Sequence, residues 1–135
     1  MPELQDYIIT DLNKVPDKLG TRLYCLHSGV FEGAPYLDCA WFSPQQEERV
    51  VVDKGHVHDY PEVITFFGSD PDDPADLCGV VELWLDGKPQ TLTKSCIIFV
   101  PSGMEHCPLI IKRADRPIFH FATSNDPNYK GPHEE

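Results

Sequence analysis

The densest grouping of reactive side chains lies in Gly55-His56-Val57-His58-Asp59-Tyr60-Pro61-Glu62, which continues through Val63, Ile64, Thr65, Phe66 and Phe67 to Gly68. On a strand, successive side chains point to opposite faces, so positions two apart share a face. His56, His58 and Glu62 have one parity, and Tyr60, Ile64 and Phe66 share it. Two imidazoles and a carboxylate converging from one face suit a borderline divalent metal such as Fe, Mn, Ni, Co or Zn. The same spacing describes a partly buried histidine pair beside a solvated glutamate. This segment alone leaves both readings open.

A second segment, about forty residues on, decides between them. Residues 95–110 read Ser-Cys-Ile-Ile-Phe-Val-Pro-Ser-Gly-Met-Glu-His-Cys-Pro-Leu-Ile. Pro101 and Gly103 make a tight turn between two apolar runs and let His106 project inward. The pair of segments resembles the two motifs of the cupins: His56, His58 and Glu62 match the first, and Pro101, Gly103 and His106 match the second. Val50, Ser95 and Ile110 stand where the family motifs carry Gly, Gly and Asn, and Gly68 comes one residue early. None of these four positions ligates metal in the family.

The resemblance covers roughly residues 35–123 and implies an all-β, single-domain cupin, a double-stranded β-helix or jelly-roll barrel of the RmlC-like kind. It further implies one divalent transition metal per chain, held by His56, His58, Glu62 and His106. Three imidazoles and one carboxylate leave an octahedral ion two open positions, the layout of a catalytic site. A small oxygenated substrate chelated there is the expected partner, with a dioxygenase the sharper reading. A metal-dependent isomerase, decarboxylase or lyase, or a non-catalytic binding barrel, is the alternative. The resemblance also implies a homodimer, which would bury an exposed strand edge.

Other residues are candidates for the pocket of such a barrel. Tyr60 and Phe66 share the ligands' parity, although Pro61 could shift it for Tyr60. Trp84, Tyr24 and Ile98 with Phe99 beside it are further candidate walls. His120, in Ile118-Phe119-His120-Phe121, is the candidate general acid–base if it faces inward. Glu82 and Glu105 read as solvent-facing, and His27 and His133 as exposed. Cys107, beside a proposed ligand, reads as a packing residue with the other four cysteines, since none forms a C-x-x-C pair.

These residues have to be positioned by short strands. Thirteen prolines and nine glycines interrupt the chain, and no long helical period survives. Strands are expected at Thr21–Leu26, Tyr36–Phe42, Arg49–Asp53, the run into Gly68, Gly79–Leu85, Gln90–Lys94, Ile97–Val100, Leu109–Lys112 and Pro117–Ala122. Asp86-Gly87 signals a hairpin. The Asp- and Pro-rich stretch after Gly68 lacks the spacing of a calcium loop and reads as a solvated connection. A single domain over 1–135 is expected, with an N-terminal arm at 1–20 and a C-terminal tail at 124–135.

Composition excludes whole classes of function. Eleven basic against 22 acidic residues give a net charge of −11, which opposes binding to nucleic acid or an anionic membrane. No apolar run approaches a membrane span of about 20 residues. The amino terminus is acidic where an export signal is basic, so a cytoplasmic location is expected.

Overall fold

The computed structural model describes residues 3–12, 15–17 and 20–126. Ten strands follow a 3-10 turn at Leu4–Tyr7: β1 (Val15–Asp17), β2 (Gly20–Leu26), β3 (Tyr36–Phe42), β4 (Arg49–Val52), β5 (Glu62–Gly68), β6 (Asp76–Leu85), β7 (Lys88–Lys94), β8 (Cys96–Val100), β9 (His106–Ala114) and β10 (Ile118–Ser124). They form two antiparallel sheets, one in the order β1-β2-β3-β10-β5-β8 and one in the order β4-β9-β6-β7. The two sheets pack as a jelly roll and are not closed into one continuous barrel.

Strand alternation determines what lies between the sheets. On β6, Leu77, Val81 and Leu83 are fully buried, while Val80, Glu82 and Trp84 alternate with them. Ile111 and Leu109 of β9 join them from the small sheet, facing Ile64, Phe66, Val100, Ile118 and Ala122 of the large one. Each fully buried aliphatic side chain contributes about 1.5–3 kcal/mol through removal from water. Among the described residues no helix is long and apolar enough to cross a membrane.

Several boundaries differ from the sequence expectation, each for a local reason. Within the expected N-terminal arm, residues 3–12 hold a short 3-10 turn, with Tyr7 stacked on Phe31 at 5.5 Å. Asp86 and Gly87 have φ of 53° and 75°, the two left-handed residues of a tight hairpin between β6 and β7. β6 starts three residues early, at Asp76 opposite Lys94, with an irregularity in register before Val81. β9 starts at His106 rather than Leu109. Pro108 interrupts the expected pattern, but a register shift between Leu109 and His106 against β6 accommodates it inside the strand. β1 was not expected, because Pro16 masks so short a strand. Residues 127–135, including His133, lie outside the described residues.

Candidate metal centre

Glu62 opens β5 and His106 opens β9, on opposite sheets at the same end of the roll. His56 and His58 precede β5 in an irregular segment rather than on the strand expected from their parity. That segment is held by a two-way bridge, in which His56 N–H donates to His106 O at 3.0 Å and His106 N–H to His56 O at 3.1 Å. Gly103, at φ 84°, donates its N–H to His58 O at 2.9 Å. A non-glycine residue at that φ would be strained, so the Pro-x-Gly turn fixes the His58 backbone as well as aiming His106. The convergence is therefore made by three segments, not by one strand face.

The ligating atoms of His56, His58 and His106 all lie within 4.8 Å of one another. Nδ1 of His58 is 2.9 Å from Tyr60 O, and Nδ1 of His106 is 3.2 Å from Met104 O. An Nδ1–H donated to a carbonyl leaves Nε2 with its lone pair, the form that binds metal. Nε2 of His58 then faces Glu62 Oε1 at 2.9 Å, and Nε2 of His106 faces the same oxygen at 3.6 Å. Two acceptors cannot share a contact of 2.9 Å without a cation or a proton between them. His106 Nε2 is in addition buried without a hydrogen-bond partner. The donor set and this orphaned nitrogen fit a divalent metal. Glu62 touches two of the three histidines but is not in the tightest group, so it stands to one side of the imidazole triad.

The electrostatics agree with a site built for positive charge. Burial alone would raise the Glu62 carboxyl, but hydrogen bonds and charge from His106 and His58 outweigh it and hold the group below its ordinary value. Burial would likewise lower His106, and Glu62 with Met104 O reverses that into a raised value. Cys107 lies in the core, where burial first and the Glu62 charge second push its thiol up to about 12. It is a packing residue and not a thiolate.

The other candidates divide by the face they occupy. Tyr60 stacks on His58 at 4.1 Å and 3° and so braces a ligand. Phe66 is fully buried inside, and Ile98 packs against the core from β8. Its neighbour Phe99 is 63% exposed and faces outward. Trp84 is a correction: it alternates with the inward Leu83 and Leu85 and therefore lies on the outer face of the small sheet. Glu82 shares that face, 3.8 Å from Lys112. Tyr24 pairs with Cys39 through its backbone on β2, and its side chain lies outside what the structure describes.

His120 faces inward. It is stacked between Phe42 and Phe66, at 5.4 and 4.9 Å, while Phe119 and Phe121 point to the other face of the sheet. Its Nδ1 is 2.9 Å from Thr65 O. Sequence reasoning passed over two residues beside it. Tyr36 is buried and its hydroxyl donates a short hydrogen bond to Asp38, whose other oxygen lies 4.0 Å from His120 Nε2. An acid in the apolar run Tyr-Leu-Asp-Cys-Ala-Trp-Phe, in phase with Tyr36, was the signal that could have found them. A surface groove between Trp41, Pro44, Ser69 and Arg116 lies at the far end of β5 and shares no residue with the metal centre.

No family model and no curated sequence matches the chain. Solved structures do match its fold. A cupin protein from Bacteroides fragilis aligns at 16% identity and TM-score 0.50, over 91% of this chain and 92% of that one. A polyketide cyclase from Streptomyces resistomycificus aligns at 16% identity and TM-score 0.50, over 96% and 82%. Lactobacillus farciminis oxalate decarboxylase aligns at 16% identity and TM-score 0.57, over 89% of this chain but 32% of its own.

Proposed function

With the cupin fold as premise, we propose that this chain is a metal-dependent enzyme acting on a small oxygenated metabolite that chelates a divalent ion held by His56, His58 and His106 with Glu62. The observation that carries this is the imidazole triad itself, whose buried His106 nitrogen has no partner and whose His58 nitrogen faces a carboxylate. When bound, the metal would supply Lewis-acid polarisation of a keto or hydroxy oxygen, or redox activation of dioxygen. The chain's own part is to fix the imidazoles through Tyr60 O and Met104 O and to brace His58 with Tyr60. His120 is positioned inside the roll to accept or return a proton, because burial lowers its pKa and keeps Nε2 unprotonated near neutrality.

Within this reading a dioxygenase is favoured if the resident metal is iron, since three imidazoles and a carboxylate suit Fe(II). Two of the fold neighbours are an oxalate decarboxylase and a polyketide cyclase, which differ in reaction while sharing the fold. Elemental analysis of the purified protein, beside His56→Ala and His106→Ala, tests the proposal. About one equivalent of Fe, Mn, Co, Ni or Zn is expected in the parent and none in the variants. A protein that takes up no metal even after reconstitution refutes it and leaves a binding barrel.

The partner expected on the outside is a second copy. Among the described side chains the outer face of the large sheet carries Trp41, Phe119, Phe121, Val63, Phe67, Ile97 and Phe99, none of them charged, with Ile97 70% and Phe99 63% exposed. Two chains of net charge −11 repel each other, and a neutral apolar face is where that repulsion costs an association least.

A further inference from the structure

The strand register places a second set of polar groups across the interior from the metal centre. Tyr36, Asp38 and Ala40 on β3 face Ser124, Ala122 and His120 on β10, and β5 continues the same rows with Ile64 beside Ala122 and Phe66 beside His120. Glu62 therefore lies one row above Ile64, and Asp38 lies two strands away from Ile64. Two strand spacings correspond to roughly 10 Å. The small side chain of Ala122 stands between them in that row. Asp38 and His120 keep 21% and 13% side-chain exposure although both point into the roll, so solvent reaches them.

The hydrogen bonds of these two residues leave a defined demand. Asp38 Oδ2 is occupied by the Tyr36 hydroxyl, whose proton is retained because burial, then the Asp38 charge, push that hydroxyl far above its ordinary pKa. His120 Nδ1 is occupied by Thr65 O, and Phe42 and Phe66 clamp the ring on both faces so that it cannot turn over. What remains is Asp38 Oδ1 and His120 Nε2, two acceptors 4.0 Å apart. That separation is too long for a hydrogen bond between them and suits a third group donating to both.

Resting on the metal reading of the site, we propose that Asp38 and His120 form the far end of the substrate chamber and select a substrate bearing a hydrogen-bond donor, a hydroxyl or an ammonium, at the end remote from the metal-chelating oxygens. A carboxylate or phosphate at that end is disfavoured by repulsion from the Asp38 carboxylate. The substrate class is thus a hydroxylated or aminated acid or ketone, not a dicarboxylate. Tyr36 acts as a positioning residue through Asp38.

The test uses the full chain loaded with Co2+ and three six-carbon 2-oxo acids that differ only at the far end: 2-oxohexanoate, 6-hydroxy-2-oxohexanoate and 2-oxoadipate. Cobalt absorption reports on the metal site, and calorimetry reports on ligand affinity. The 6-hydroxy acid is expected to bind about 10-fold or more tighter than the methyl-ended acid, since a hydrogen bond to a charged acceptor contributes about 1.5–3 kcal/mol. The dicarboxylate is expected to bind weakest. Asp38→Asn should bring the dicarboxylate level with the methyl-ended acid, and His120→Phe should erode the hydroxyl preference while Co2+ absorption stays unchanged in both. Equal affinities across the three acids in the parent, or an order that survives both substitutions, overturns the selection by Asp38 and His120. Absence of a cobalt spectrum instead overturns the metal reading on which it rests, and with it this assignment of the chamber.

Discussion

Metal uptake should release a proton, and its source follows from the contacts at the site. His106 Nε2 is 3.6 Å from Glu62 Oε1, and hydrogen bonding and charge from that carboxylate raise its pKa although burial opposes them, so a proton sits there as the pH falls. A metal ion displaces it. The logarithm of the metal affinity should therefore rise with pH, with a slope that His106 brings toward one once it is protonated, about 1.4 kcal/mol per pH unit. Glu62 does not add to the slope near neutrality, because its carboxyl is held low by the histidines and is already ionised. Calorimetric titration with Zn2+ in two buffers of different ionisation heat measures the proton count directly. Glu62→Gln removes the bridging acceptor, and should lower the count together with the metal affinity by about 10–100-fold. A pH-independent affinity with no proton release, in a protein that binds one equivalent, would refute the arrangement of protons derived from these distances.

Three further outcomes follow from other parts of the molecule. His120 has a lowered pKa, so between that value and its ordinary 6.5 the unfolded chain binds a proton that the folded chain does not. Stability to urea should fall as pH drops through this window, by up to about 1.4 kcal/mol per unit, and His120→Phe should remove that part of the slope. Gly87→Ala puts a Cβ on a residue with φ 75° at the β6–β7 hairpin, and should cost about 1 kcal/mol in urea melts with metal affinity unchanged. Sedimentation of the parent should give the mass of two chains, and Ile97→Glu with Phe99→Glu should give one with an unchanged circular dichroism spectrum. A parent that sediments as a monomer at all concentrations rules out the outer-face dimer.

The amino-acid sequence by itself determined the fold class and singled out the three histidines that the structure brings together. Both are carried by local signals: alternation on β5, β6 and β10, a two-residue Asp-Gly hairpin, and a Pro-x-Gly turn ahead of His106. Such signals survive in one dimension because strand period and turn chemistry depend on neighbours a few residues apart. The tertiary structure decided what depends on pairing between distant segments. It moved His56 and His58 off the strand, tying His56 by a bridge to His106 and His58 to Gly103, turned Trp84 to the outer face, and turned His120 inward between Phe42 and Phe66. It also brought Asp38 to His120 from a strand about eighty residues earlier. A one-residue change of register would have sent each of these side chains to the opposite face. Register is set by the packing of two whole sheets, so no short stretch of sequence could fix it alone.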